Sequence, residues 1–190
     1  MPKLYVISGC NGAGKTTASY TILPEMLDCR EFVNADEIAR GLSPFNPEQV
    51  AIEAGRLMLR RMNDLRDAGV DFAFETTLAT RSHLRFIEDA RRRGYFITLL
   101  YLWLTTPELA VERVALRVKE GGHHIPEPVV HRRYVNGLKN LNLYLPLCDY
   151  WAIYNSSAPD IRKIASGSRE ETLENIEPLT FEKIRNYGRS

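Results

Sequence analysis

Residues 9–16 read Gly-Cys-Asn-Gly-Ala-Gly-Lys-Thr, the spacing G-x-x-x-x-G-K-[ST], set between the apolar run Leu4-Tyr5-Val6-Ile7 and a helix-compatible stretch. This is the pattern of a phosphate-binding loop. Glycines at 9, 12 and 14 let the backbone turn tightly enough for successive amides, from Gly9 through Asn11, Gly12, Ala13 and Gly14 to Lys15, Thr16 and Thr17, to face a polyphosphate. The helix that follows adds the positive end of its dipole. Lys15 has the length to reach the outer phosphates. Thr16 carries the hydroxyl that a Mg²⁺ bridging those phosphates needs, which a valine of the same shape lacks.

Outward from the loop, short apolar runs rich in aromatic and β-branched residues alternate with longer stretches of helical period, the pattern of an α/β protein with a largely parallel sheet. The expected strands are Leu4 to Ser8, Glu31 to Ala35, Val70 to Glu75, Phe96 to Leu104 and Tyr150 to Asn155. The expected helices are Lys15 to Leu27, Pro47 to Ala68, Arg81 to Arg93, Pro107 to Lys119 and Pro126 to Leu145. The reading is therefore a mostly parallel five-stranded sheet with helices on both faces, spanning residues 1–157. Residues 158–190 read as a polar extension packed on the same domain, with a short strand at Ile161 to Ala165 and a weak terminal helix. A chain of 190 residues, 44% hydrophobic and 26% charged, needs no metal or disulfide to hold a core. Its net charge of +1 gives no general attraction to nucleic acid or to an anionic membrane, so partners must be argued from sites. Three cysteines, Cys10, Cys29 and Cys148, form no C-x-x-C pair and fit a reducing compartment. No apolar run approaches the ~18 residues of a membrane span, and the first strand begins too early to leave room for a signal peptide. The expected setting is cytoplasmic.

Ligands of open α/β sheets lie outside the carboxyl ends of the strands. The second strand ends in Val33-Asn34-Ala35-Asp36, which sets Asp36 where a substrate hydroxyl could meet the terminal phosphate; it reads as a general base or as the cap of the helix that follows. The third ends in Phe74-Glu75-Thr76-Thr77. Glu75 reads as a metal-side acid, or as a buried carboxylate bonded to Thr76, Thr77 or loop backbone. Thr77 and Arg81 fall on the substrate side, with Arg81 either pairing an anionic group or simply solvated. Glu112-Arg113 and Arg117, followed by Glu120-Gly121-Gly122-His123-His124-Ile125-Pro126, read as a helical lid on a glycine hinge that brings cations to a transferring phosphoryl group. Arg113, Arg117 and Arg132 or Arg133 are the candidates, and a solvated helix face is the alternative for each. Adjacent histidines without a Cys or carboxylate cluster argue against zinc. Arg91-Arg92-Arg93 closes a helix, where cations suit the dipole better than they suit a nucleic-acid site. Asn155-Ser156, just past the fifth strand, are placed to border an adenine.

The early loop, Val33-Asn34-Ala35-Asp36, Phe74-Glu75-Thr76-Thr77 and Glu112-Arg113 ahead of a Gly-Gly-His lid together resemble the zeta-toxin family of P-loop kinases, over roughly Lys3 to Ser156. The resemblance implies a three-layer, nucleoside-kinase-like P-loop NTPase fold, ATP with Mg²⁺ as cofactors, and transfer of the γ-phosphoryl group to a hydroxyl of a small molecule. The best-known members phosphorylate UDP-N-acetylglucosamine and are held in check by a protein antitoxin. It assigns Lys15 and Thr16 to ATP and Mg²⁺, Asp36 to the base, Glu75 and Thr77 to substrate or metal, and Arg113 to the phosphates. Where the larger toxins carry an arginine two residues after the threonine matching Thr77, this chain has Ala79, and near His123 it lacks their lid arginine. Both departures bear on a nucleotide-sugar acceptor more than on the kinase chemistry. Two other readings compete: a nucleotide-dependent switch with weak ATPase activity, and a polynucleotide 5′-kinase. The missing N-K-x-D argues against a GTPase switch, and the net charge argues against a polynucleotide channel.

Overall fold

The computed structural model describes residues 1–122 and 124–187, so His123 of the expected lid lies outside the described residues. In chain order the elements are β1 (Lys3–Gly9), α1 (Lys15–Thr21), β2 (Phe32–Val33), α2 (Ala35–Leu42), α3 (Ala51–Ala68), β3 (Phe72–Thr76), α4 (Leu84–Arg92), β4 (Phe96–Trp103), α5 (Pro107–Lys119), α6 (Glu127–Tyr144), β5 (Tyr150–Asn155), β6 (Arg162–Gly167), β7 (Thr172–Asn175) and α7 (Pro178–Asn186). They build a mixed α/β sheet in the order β2-β3-β1-β4-β5-β6-β7. The pairings from β2 to β5 are parallel, while β6 runs antiparallel to β5 and β7 antiparallel to β6.

The sheet therefore has seven strands where five were expected. The extra two come from the polar tail: β6 is the short strand expected at Ile161 to Ala165, paired to β5, whereas β7 is exposed along its whole length and so carries no apolar pattern. That tail is anchored by stacking of Trp151 on Phe181, with ring centroids 5.7 Å apart.

The first helix also differs from its reading. It stops at Thr21 and continues as a π-turn over Ile22–Met26, because Pro24 has no N–H to donate and its ring crowds the carbonyl four residues back.

Alternation along the strands divides the core. Leu4, Val6, Phe72, Phe74, Ile97 and Leu99 point to the face covered by α3, α4, α5 and α6 and form the main cluster. Tyr5, Ile7 and Ala73 point the other way, against Leu23 and Cys29 of the segment after α1. A cavity of about 470 Å³ lies on this thinly covered face with an apolar lining that includes Ile7, Leu100 and Tyr154; it does not include the glycine loop. All three cysteines are free and buried. Among the described residues no helix is long and apolar enough to cross a membrane.

Candidate active site

The turn from β1 into α1 is built by glycines in conformations other residues avoid. Gly9, Gly12 and Gly14 have φ of 143°, 79° and 82°. A Cβ on Gly9 would stand 2.3 Å from the carbonyl oxygen of Leu102 on the neighbouring strand, so the loop can start there only without a side chain. Gly14 caps α1 without any side-chain hydrogen bond, which leaves the amides of the first turn for a ligand.

Lys15 and Thr16 follow on the first turn of α1, and both turn towards Glu75 at the end of β3. Lys15 is buried; its Nζ donates to the carbonyl of Cys10 at 3.0 Å and lies 3.4 Å from Glu75 Oε1. Thr16 Oγ1 donates to Glu75 Oε2 at 2.7 Å. Asn34 completes the cluster: its Nδ2 donates to the same carboxylate oxygen at 2.9 Å, while its Oδ1 accepts from the amides of Asp36 at 2.8 Å and Glu37 at 3.4 Å.

Asn34 is thus both the cap of α2 and a partner of the loop, and no site role had been drawn for it from sequence. Its signal was there in Asn34-Ala35-Asp36-Glu37, an N-cap type followed by an acid three residues later. The capping alternative for Asp36 is corrected at the same time. Asn34 caps the helix, Asp36 is its second residue, and the Asp36 carboxylate is exposed with no hydrogen bond among the described residues. The Glu75 carboxylate is partnered by Lys15, Thr16 and Asn34 rather than by Thr76 or Thr77, because the strand end directs it at the loop.

A polar cavity of about 250 Å³ opens over this cluster, lined by Asn11, Gly12 and the Gly14–Thr17 turn together with Asp36, Glu75, Arg113 and Arg117. Arg113 reaches it with its guanidinium engaged: Nη1 donates to the carbonyls of Ser156 at 2.7 Å and Gly12 at 3.5 Å, and Nη2 to Ser157 at 2.8 Å. It ties the loop to the segment after β5. Of the two neighbouring arginines on α6, Arg132 is exposed, and it is Arg133 that faces the loop, donating to Asn11 Oδ1 at 3.3 Å. Burial pushes the Arg133 guanidinium down from its ordinary value, and the charge of Asp36 opposes that shift.

Thr77, Arg81 and Asn155 do not line this cavity. Asn155 Oδ1 accepts from the amide of Ser157 at 3.0 Å and so closes its own turn. Thr77 and Arg81 lie on the connection from β3 to α4, which leads away from Glu75. In that connection Leu78 is fully buried with φ of 54°, a left-handed conformation that costs a leucine about 1–3 kcal/mol.

Glu75 and Thr16 present adjacent hard oxygen donors, and no group of three His, Cys, Asp or Glu side chains gathers among the described residues. That donor set fits Mg²⁺, which takes one or two protein ligands and draws the rest from phosphates and water.

A glycine loop between β1 and α1, a parallel core ordered β2-β3-β1-β4-β5 and a helical hairpin of α5 and α6 define a P-loop kinase fold. The model of the zeta toxin family matches residues 1–144, and the chain belongs to that family. A protein of Haemophilus influenzae described as uncharacterized is 32% identical over 127 residues, 66% of this chain and 88% of its own. The structure is similar to that of AvrRxo1-ORF1:-ORF2 with ATP, at a TM-score of 0.79 and 21% identity over 100% of this chain and 65% of that one. It is also similar to the PezAT chromosomal toxin–antitoxin system of Streptococcus pneumoniae, at a TM-score of 0.66 and 16% identity over 100% of this chain and 85% of that one. At these identities the likeness is one of fold, and this chain spans under two thirds of the AvrRxo1 chain. The family match ends at Tyr144, so β5, β6, β7 and α7 lie beyond it.

Proposed function

We propose that the protein is an ATP-dependent kinase that transfers the γ-phosphoryl group to a hydroxyl of a small molecule, with a nucleotide sugar as the acceptor class that its family suggests. One observation carries the reading: an exposed carboxylate relieved of capping, Asp36, shares a cavity with Lys15, Thr16 and the glycine loop. Amides of Gly9 to Thr17 and the Lys15 ammonium hold the triphosphate. On its arrival Lys15 exchanges the Cys10 carbonyl and Glu75 for phosphate oxygens. Thr16 and Glu75 would hold Mg²⁺, which when bound would neutralise negative charge on the phosphates. Asp36 orients the acceptor hydroxyl and takes its proton as the oxygen attacks the γ-phosphorus; the bond to the β,γ-bridging oxygen breaks, ADP leaves and the proton passes to solvent. Arg117 and Arg133 supply positive charge at the cavity rim. The AvrRxo1 complex with ATP supports nucleotide binding, and the PezAT assembly supports a protein antitoxin as partner. Incubation with γ-labelled ATP, Mg²⁺ and a pool of nucleotide sugars, sugars, nucleosides and oligonucleotides tests the reading. Label should enter one of the small acceptors, and label found only in free phosphate would leave the nucleotide switch standing instead.

A further inference from the structure

We propose that Asn140, a buried residue of α6, is a positioning residue that fixes the β3–α4 connection, and that the Thr77 and Arg81 it carries meet the acceptor beyond the cavity over the glycine loop, independently of the ATP side; the inference rests on the kinase reading above. The connection after Glu75 runs through Thr77, the left-handed Leu78, Thr80 and Arg81, and its main chain is held from one helix. Asn140 Nδ2 donates to the carbonyl of Leu78 at 2.8 Å, and Asn140 Oδ1 accepts from Arg81 Nε at 3.4 Å. Tyr144 donates its hydroxyl to the carbonyl of Thr80 at 2.8 Å. Gly137 lets the helix approach at all, since a Cβ there would stand 2.6 Å from the carbonyl oxygen of Thr77. Residues 137, 140 and 144 fall on one stripe of α6, and Arg133, which reaches Asn11 of the glycine loop, lies one turn earlier on the same stripe.

The stripe gives α6 two jobs at a set spacing. Its second turn meets the phosphate loop through the Arg133 side chain, whereas its later turns grip backbone. The Leu78 turn is strained, so it keeps its conformation only while the leucine stays buried and its carbonyl stays held. Without the Asn140 amide the carbonyl loses its buried donor and the turn gains a reason to relax. Thr77 and Arg81 ride on that turn. The glycine loop does not, because its shape comes from its own three glycines.

Asn140→Ala should therefore separate the two sides. Amide hydrogen exchange of the peptide covering residues 77–83 should speed up about ten-fold or more, while residues 9–16 keep their protection. The dissociation constant for ATP should stay within about two-fold of the parent, and kcat/KM for the labelled acceptor should fall about ten-fold or more. Asn142→Ala is the control, since the Asn142 amide binds the carbonyl of Arg185 on α7 at 2.8 Å and should leave both the 77–83 exchange and the transfer rate unchanged. The proposal is overturned if exchange of 77–83 is unaltered, if protection of 9–16 and ATP affinity fall together with it, or if the control behaves like Asn140→Ala. Should the parent label no acceptor at all, the kinase reading fails by that result alone. The exchange and ATP-binding measurements need no acceptor and still decide whether Asn140 holds the turn.

Discussion

The two halves of the candidate site are made in opposite ways. The phosphate half is eight consecutive residues whose glycines dictate the path, and the amides we propose for the triphosphate all come from that one turn between β1 and α1. The acceptor half, as we propose it, draws Asp36 from α2 and, outside the cavity over the loop, Thr77 and Arg81 from the β3–α4 connection with the α6 stripe that holds that connection, residues more than a hundred positions apart at the extremes. Glu75 and Asn34 stand at the seam, bonded to Thr16 on one side and to the α2 amides on the other. A locally coded half should fail sharply when one residue is removed. A half assembled from distant pieces should fail by loosening.

The largest effect tests the first statement. Lys15→Ala removes the ammonium that stands at the base of the loop, 3.4 Å from Glu75 Oε1, and leaves the half-buried Glu75 without that counter-ion. Turnover should fall by on the order of 10²–10³, with ATP affinity falling as well. Titration with ATP alongside a transfer assay reads both, and an ATP affinity equal to that of the parent would show that the loop does not hold the triphosphate as described.

Asp36→Asn probes the seam from the acceptor side. The substitution preserves shape, and α2 keeps its cap because Asn34 supplies it. ATP affinity should hold while transfer drops by ~10²-fold or more, since the amide cannot take the hydroxyl proton. Transfer at the parental rate would remove Asp36 from the chemistry and erase the functional distinction between it and an ordinary exposed acid.

The same contrast explains what could be read from the sequence. The loop, the parallel core and the acids at the ends of β2 and β3 were legible because each is a local pattern: fixed glycine spacing, apolar runs, a carboxylate where a run stops. The cap at Asn34 was legible in principle, yet Asp36 two residues on competed for the same role. The grip of α6 on the β3–α4 connection was not legible, because Gly137, Asn140 and Tyr144 matter only once a turn 60 residues upstream is folded against them. Arg113 was legible only in part: it lines the cavity over the loop as its position on the helix suggests. An arginine on a helix near the loop reads as a phosphate ligand, and its actual carbonyl partners at Ser156 and Ser157 come from a distant segment. The short strand expected at Ile161 to Ala165 is β6, but its partner β7 escaped for a third reason, since a strand exposed along its whole length carries almost no apolar period.

The smallest expected effect sharpens the comparison through acid. His83 closes the β3–α4 connection, with its ring 5.1 Å from that of Phe74 and its Nδ1 buried without a partner among the described residues. Burial drives its pKa down from 6.5 to about 4. The unfolded chain therefore takes up this proton at a higher pH than the folded one, so the stability tied to a neutral His83 is complete above pH 6.5 and is lost as pH falls towards 4. Between pH 7 and pH 5.5 the loss should be about 1 kcal/mol. Denaturant unfolding of the parent and of His83→Leu at both pH values isolates it, because the other titrating groups contribute equally to both proteins. The variant should lack that part of the slope. In the parent, hydrogen exchange at pH 5.5 should rise in residues 77–83 before it rises in residues 9–16, since no histidine lies in the glycine loop. Equal slopes in the two proteins would mean that the His83 ring is open to water, and that the acceptor half is no more dependent on burial than the phosphate half.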